Sequence, residues 1–476
     1  MLPTHRIKDA TRTFVTGALL GCAFASFAAN AASADELQAE LTQAGKALND
    51  VQPAATADYL QGNPDRALER FLAVAGQNDW KSLFMLGNML FTQQPEESFR
   101  LHQRAYELSG DSDFALLELA YDYTRRDECP KALAAWERVD KAGLFGSYMP
   151  LLAAYCHLKL GDDAQAFAMV DRSKARYGQL EQALEGMWGE PVLRVHAQTL
   201  ARFKAGGSPA DLDAALENSV RFGSGSDRGR ALLAIASAAG GTKTPQHDVA
   251  TGLECLRPAL EKEAKLPPDA GARSDAGKKA IGDVWRERMD ACGFVLDGHA
   301  LPANAAFARV LVVTAIELDI ASAQALVTAH SKALDERARS KAGDIAALRL
   351  LAAMQARVGD PALRQTDELG WSRYADAEFA ASALSSMFRP DATPTPTPAD
   401  LARLSEAHRQ FPDDARILHL WLRHGSHSKD EARAGWRKLA LLEFRKPSLQ
   451  RDDMHFQPTA YTLYQALNEY RKAGES

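Results

Sequence analysis

The sequence lacks most of the features that announce chemistry. Its 476 residues hold five cysteines, none in a C-x-x-C pair, which argues against a zinc site. No apolar run reaches the roughly 20 residues that a membrane-spanning helix needs. Positive charge is not in excess: 56 Lys and Arg face 62 Asp and Glu, a formal net of −6. Nucleic acid and anionic membrane both select basic surfaces, so neither is expected as the main partner. The patterns G-x-x-x-x-G-K-[ST], H-E-x-x-H and G-x-S-x-G are absent. So are period-2 runs bounded by hairpin turns, which argues against strands. At 46% hydrophobic and 25% charged, the chain is neither disordered nor collagen-like. Its length suffices for two or three domains or for one long repeat array.

The N-terminus is the first feature present. Arg6, Lys8 and Arg12 precede an uncharged stretch from Phe14 to Ala29, which ends in the small-x-small sites Ala29-Asn30-Ala31 and Ala32-Ser33-Ala34. A basic start, an apolar middle and a small-residue exit form a secretory signal peptide. Leu19-Leu20-Gly21-Cys22 opens a second route, a lipid anchor at Cys22. Against it stand the bulky Leu20 and the apolar run that continues after the cysteine. Removing residues 1–34 leaves a net charge of −8. The expected address is the periplasm, reached through a cleaved signal peptide.

Four cysteines remain after that cleavage: Cys129, Cys156, Cys255 and Cys292. An even count in an exported chain suggests two disulfides. Of the three pairings, Cys129–Cys156 and Cys255–Cys292 are favoured, because each would join neighbouring antiparallel helices. The alternative is four buried free thiols.

Apolar residues recur at helical spacing in block after block. Leu116, Leu119, Ala120 and Tyr123 make one stripe, and Ala306, Val310, Val313 and Ile316 another. Gly, Pro and Asp clusters separate the blocks. A longer period runs through the first third of the chain: a small residue, a bulky one four later, and a small or aliphatic one three beyond that. Ala67-Phe71-Val74, Ser98-His102-Ala105, Ala132-Trp136-Val139 and Ala166-Val170-Ser173 follow it, with spacings of 31, 34 and 34 between their leading residues. The preceding blocks repeat as well, Leu83, Leu86, Gly87 and Leu90 being matched by Leu116, Leu119, Ala120 and Tyr123.

On these residues, extended by Leu151, Ala154, Gly161, Asp162 and Ala166, the chain resembles the tetratricopeptide repeat (TPR) family over residues 55–178. It departs from the pattern in having no Trp at the start of the first helices and in placing His102 and Val170 where aromatics are usual. Leu348, Leu351, Ala352 and Gly359, and later Ala432, Trp436 and Leu439, look like fragments of further repeats. The resemblance implies an all-α, TPR-like α-solenoid of antiparallel helix pairs, divergent in the C-terminal two thirds. The expected organisation is a signal peptide over 1–34, TPR repeats over 35–178 and divergent helical repeats over 179–388. A Pro/Thr linker over 389–399 and TPR-like helices over 400–476 complete it. Whether 179–388 continues the superhelix or folds back stays open.

In such an array the first helix of each pair lines the concave face. The positions that spacing places there are Phe84 and Asn88, Leu117 and Tyr121, and Leu151 and Tyr155, with Phe114 and Tyr148 nearer the edge. Phe84, Asn88, Tyr121 and Tyr155 are the candidate partner-binding residues, suited to an extended peptide or a helix. The other reading of these aromatics is packing between helices. The Lys, Arg and Asn that clamp a terminal carboxylate in some TPR grooves are not matched here.

Other clusters carry less. Gly223-Ser-Gly225-Ser-Asp-Arg-Gly229 lacks dinucleotide spacing and reads as a loop. His408, His419, His424, His427 and His455 crowd the C-terminal part, but neighbouring positive charge and poor convergence favour solvated loop histidines over a metal site. The pairs Asp162-Asp163, Asp413-Asp414 and Asp452-Asp453 fit helix caps. Glu97-Ser98 and Glu475-Ser476 match the first dipeptide of lytic transglycosylases, but no Gly-Leu-Met-Gln follows either. The expectation is therefore a non-enzymatic scaffold, without metal or cofactor, that binds unidentified envelope proteins. The alternative is a cell-wall- or glycan-active enzyme with a helical accessory array.

Overall fold

The computed structural model describes residues 31–475 apart from 77–78, 176, 190, 224, 241–246, 267–274, 295–300, 342, 389–395 and 446–458. The leader with Cys22, and also Asp452, Asp453 and His455, thus lie outside the described residues. Among those described, the regular structure is helical throughout.

Helices begin where the sequence supplies a cap or a proline. Asp79, Asp162 and Asp414 each accept one or two backbone N–H groups from the first turn that follows. Pro64, Pro95 and Pro398 occupy first positions, where the missing N–H is no loss. Pro398 therefore already belongs to a helix, which corrects the expected end of the linker at 399.

The first eight helices form four hairpins: α1 (Ala31–Leu60) with α2 (Pro64–Ala75), α3 (Trp80–Leu90) with α4 (Pro95–Leu108), α5 (Asp113–Arg125) with α6 (Cys129–Lys141), and α7 (Met149–Leu160) with α8 (Asp163–Arg172). Ala67, Ser98, Ala132 and Ala166, the leading small residues of the sequence period, are all 0% exposed. Each lies where the second helix of a pair packs against the first. Val74 departs from the pattern and is exposed. The first helices contact one another along the array, α1 with α3 and α5 with α7. This is the TPR-like arrangement.

After α8 the chain turns back. The short α9 (Tyr177–Trp188) packs on α5, and α10 (Val192–Lys204) reaches α1 and α2 at the far end of the array. There His196 Nε2–H donates to the Leu60 carbonyl at 3.0 Å, and Arg194 donates to the Thr92 carbonyl at 3.0 Å. Both acceptors are loose carbonyls at or just past a helix C-terminus. Paired with α10, α11 (Pro209–Val220) begins a second course.

The second course starts with α12 (Ser226–Gly240), α13 (His247–Cys255), α14 (Arg257–Ala264) and α15 (Asp275–Ala291). Helix α12 absorbs the second half of the glycine-rich stretch, which is therefore only partly a loop. Arg228 is buried here between Glu263, at 2.8 Å, and Glu317, at 2.7 Å. Glu263 also accepts from the Trp285 indole and from the Gly225 amide. A buried charge is tolerable only when it is paired and hydrogen-bonded in this way. Cys255 and Cys292 form a disulfide between the ends of α13 and α15.

Seven helices then lead back toward the start: α16 (Ala305–Glu317), α17 (Ala323–Arg339), α18 (Ile345–Val358), α19 (Leu363–Tyr374), α20 (Ala377–Met387), α21 (Pro398–Gln410) and α22 (Ala415–His424). One buried core takes in Leu384 and Phe388 together with Leu404, Ala407 and Ile417, so packing is continuous across the Pro/Thr stretch. The final hairpin, α23 (Lys429–Arg445) with α24 (Thr459–Glu475), docks on α7 and α9. The solenoid thus closes on itself: α10 and α12 abut the first pair, and α23 and α24 abut the fourth. Residues 179–388 do not simply extend the first superhelix; they fold back and then return.

Apolar burial dominates that closure. Phe444, Leu463, Ala466 and Leu467 join the core of α5–α9, and burying one such large side chain contributes roughly 1.5–3 kcal/mol. The half-exposed pairs across the seam, Arg445–Asp127 at 3.1 Å and Arg471–Asp171 at 2.9 Å, add about 0–1 kcal/mol each. They fix register more than they hold the seam shut.

Close helix approach generates a first prediction. A Cβ on Gly229 would lie 2.6 Å from the Ala264 backbone nitrogen of α14. Backbone cannot swing aside, so Gly229→Ala is expected to destabilise the protein by about 1–3 kcal/mol. That outweighs the ~1 kcal/mol that Ala ordinarily gains over Gly inside a helix. Urea denaturation checks it, and an unchanged or higher midpoint would show that α14 yields without strain.

Candidate functional site

The concave side of α3, α5 and α7 is where sequence spacing places the partner-binding residues. All four are buried. Phe84 packs on Phe114, ring centroids 4.9 Å apart. Tyr121 stands edge-on to Trp136 at 5.0 Å, and its hydroxyl donates to that of Tyr148 at 2.8 Å. Tyr155 lies between Trp188 of α9, at 5.1 Å, and Phe444 of α23, at 5.4 Å. Phe114, Leu117, Tyr148 and Leu151 are buried too. The expectation of open groove residues is therefore corrected. These side chains do line the inner helices, but α9 and α23 cover Tyr155, and neighbouring repeat side chains enclose Phe84, Asn88 and Tyr121.

Asn88 has a different role. It bridges a buried polar chain. His102 Nε2–H donates to Asn88 Oδ1 at 3.0 Å, and His102 Nδ1–H donates to Asp122 at 2.6 Å. The Asn88 side chain also hydrogen-bonds to Glu118. His102 is 0% and Asp122 2% exposed. His102 fits because residue 87 is glycine: a Cβ there would meet the imidazole at 2.3 Å. The imidazole fills the space that the TPR pattern usually gives to an aromatic, and Gly87 makes room for it. Burial pushes the imidazole pKa down, but the Asp122 carboxylate overcomes this and holds it above the ordinary value. Burial pushes Glu118 up to about 7, with Asp122 acting in the same direction and His102 against it. Perturbed acids mark functional sites in many proteins. Here the groups are enclosed by α3, α4 and α5, and what they do is satisfy one another.

A second cluster sits at the closure seam. Asp127 follows α5 in the left-handed region, at φ 60°, which a short polar side chain tolerates better than most. Its carboxylate accepts from Tyr155 and pairs with Lys159 of α7 and Arg445 of α23. Burial, and next the bond to Asp127, push the Tyr155 phenol up. Beside it lie Cys129 and Cys156, both buried and both free. The expected Cys129–Cys156 disulfide is corrected. The two helices do bring the residues together, but as free thiols. The Cys156 thiol donates to Cys129, lowering the Cys129 pKa and raising its own.

Of the C-terminal histidines, His424 is exposed, as expected, while His408, His419 and His427 are half-buried against indoles rather than fully solvated. His408 stacks on Trp421 at 4.4 Å, with His427 on the same indole at 5.0 Å. His424 meets Phe388 at 5.0 Å and His419 meets Trp436 at 6.0 Å. Burial, then the Arg423 charge, lower His419 to about 4. Among the described residues, no group of three His, Cys, Asp or Glu is placed to hold a metal ion. No helix there is long and apolar enough to cross a membrane. Asp162 and Asp414 cap helices as their positions in the sequence suggested. Ser98 of the Glu-Ser pair donates to the Gly87 carbonyl at 2.8 Å inside the core.

Sequence reasoning missed α9. Its Leu180, Leu184, Met187 and Trp188 recur at helical spacing, which was visible, but nothing local says which surface they cover. Comparison with known proteins adds little. No protein-family model matches the chain, and no curated protein does. Among solved structures, that of Naa15/Naa10 bound to HypK-THB is 15% identical, over 92% of this chain and 70% of that one, with a TM-score of 0.23. So loose a superposition transfers no function.

Two predictions come from this geometry. Folding raises the Glu118 pKa from 4.5 to about 7, so between these values the folded state holds more proton than the unfolded one. Stability therefore falls as pH rises through that window. His102, also raised, adds a loss above pH 6.5. Glu118→Gln keeps the shape and removes the first contribution. The stability gap between variant and wild type should widen in the variant's favour by at most about 3 kcal/mol from pH 4.5 to 7. Denaturation curves at several pH values check this, and parallel pH profiles would refute it. The second prediction concerns the thiols. When the mature protein is denatured without reductant and alkylated, Cys129 and Cys156 should be labelled, and Cys255 and Cys292 only after reduction. Protection of all four would mean that both pairs are oxidised.

Proposed function

We propose that this protein is an exported, non-enzymatic scaffold that binds partner proteins of the bacterial cell envelope through its helical array. The observation that supports this reading is the seat of α9. There α24, α23 and α5 already hold an amphipathic helix, with Leu180, Leu184 and Met187 in the shared core, as in helix-in-groove recognition. A closed array of helix pairs also offers a broad rigid surface. The N-terminal leader pattern supports export to the periplasm, with cleavage after Ala31 or Ala34. Lipidation at Cys22 is the competing fate. The partner class is protein.

The test is crosslinking in intact cells of the native host, followed by purification through a C-terminal tag and mass spectrometry. A defined set of exported proteins should co-purify, and the intact mass of the protein should correspond to a start just after residue 31 or 34. A cytoplasmic, unprocessed chain would overturn the export reading. Failure to recover specific partners, together with turnover of a cell-wall or glycan substrate, would replace the scaffold with the enzyme alternative. Tyr121→Ala and Tyr155→Ala are unsuitable as binding variants, because both side chains are core.

A further inference from the structure

We propose that the joint between α22 and the C-terminal hairpin is an acid-sensitive switch: in mild acid His419 takes up a proton and α22 loosens from α23 and α24, while the first repeats stay closed. This inference stands apart from the scaffold reading.

The joint is built at a boundary between two cores. Ile417 of α22 lies in the core that holds Leu384, Phe388 and Leu404, whereas Leu418 and Leu422 lie in the core that holds Trp436, Phe444 and Leu463. Helix α22 therefore ties the second course to the hairpin that closes the array. Imidazoles and aromatic rings fill this boundary. His408 of α21 and His427 both meet Trp421, His419 meets Trp436 of α23, and His424 meets Phe388 just past α20.

Imidazole is the side chain that ordinarily changes charge between pH 5 and 8, and the charges around these rings are mostly positive. Arg423 and His424 act on His419, Arg423 acts on His424, and Lys438 of α23 acts on His408. Nearby carboxylates are engaged elsewhere. Asp413 pairs with Lys438 at 2.8 Å, and Asp414 pairs with Arg416 and caps α22. Glu431 accepts from Ser428 at the start of α23, beside His427. His408 lies flat on the Trp421 indole, whose face favours a charged ring. His419 is the more exacting position. Its Nε2 is enclosed and has no hydrogen-bond partner among the described residues, and the same holds for Oε1 of Gln465 on α24. Gln465 favours the charged ring, but burial and then Arg423 outweigh it and lower the His419 pKa to about 4.

Linkage gives the sign. A base whose pKa is lower folded than unfolded binds its proton better once the joint opens. The joint is therefore most stable above pH 6.5 and weakens as pH falls toward 4. The first repeats respond the opposite way, because Glu118 and His102 hold more proton when folded. Acid thus loosens α22 while it tightens the packing of α3, α4 and α5.

The test is hydrogen exchange on the mature full-length chain at pH 7.5 and 5.0, each amide corrected for the pH dependence of intrinsic exchange. The opening equilibrium of the joint should rise about thirtyfold on acidification. Protection of residues 415–424 and 429–440 should fall by that order, and that of α3 and α5 should not fall. In His419→Gln, which takes up no proton there, the loss should shrink to about threefold or less. Unchanged protection of the joint in wild type, equal loss in α3 and α5, or an undiminished loss in the variant overturns the inference. Should His419→Gln not fold, Gln465→Glu decides. A carboxylate beside His419 holds the charged ring in place, so the acid response should shrink, and a response as large as that of wild type overturns the inference.

Discussion

A helix pair cannot cover itself. Each hairpin buries one face between its own two helices and leaves a second apolar face for a neighbour, so an array always ends in two uncovered faces. Most repeat proteins solve this with polar caps. This chain covers the face of its first pair with α10 and α12 and that of its fourth pair with α23 and α24. Much else in the structure follows. The connection between α8 and α10 must run back past α5, and α9 is enclosed there by α5, α23 and α24. The C-terminal hairpin must meet the fourth pair in register, so charged side chains gather at that seam around Asp127 and Asp163. The core of α5–α9 therefore joins residues 91–187 to residues 418–470.

The same constraint explains why polar groups sit so deep. Where helices stack on both sides, a position with no route to water must be filled either by hydrocarbon or by a complete set of hydrogen bonds. At the second pair the chain uses the latter. Asn88, His102, Glu118 and Asp122 come from three helices and satisfy one another, with Gly87 providing the space. At the far side Arg228, Glu263, Glu317 and Trp285 do the same across four helices. Such sets specify which helix meets which, since a slipped neighbour would strand a buried charge.

Local order was legible in the sequence, and remote contact was not. The small residues Ala67, Ser98, Ala132 and Ala166 announce the hairpins because each packs against a helix only some 15 residues earlier, and the spacing repeats. Cys255 and Cys292 join helices 37 residues apart within one course. By contrast, Arg433 meets Asp163 across 270 residues, and Phe444 covers Tyr155 from an equally distant part of the chain. A contact made once leaves no period. Spacing could place Tyr121 and Tyr155 on the inner helices, yet it is silent about what lies over them. The histidines of the C-terminal part illustrate the same limit: their crowding is visible, but the indoles they stack on are fixed only by the fold.

Separation in sequence also sets an order of events. Hairpins α1–α2 to α7–α8 close short loops and should form early, whereas docking of α23 and α24 on α7 closes a loop of several hundred residues. Until that last step Tyr155 lies uncovered on its outer flank, and Asp127 has Lys159 but not Arg445 beside it. The neighbouring thiols Cys129 and Cys156 share this seam. Their reduced state in the finished fold is thus a kinetic matter as much as an energetic one. Thiol–disulfide exchange requires access to a thiolate, and access ends when the seam shuts. In an oxidising compartment a chain whose ends meet promptly would keep the pair reduced, and one whose closure is delayed would expose it to oxidation. The contact that completes the architecture therefore also lies beside its two free thiols.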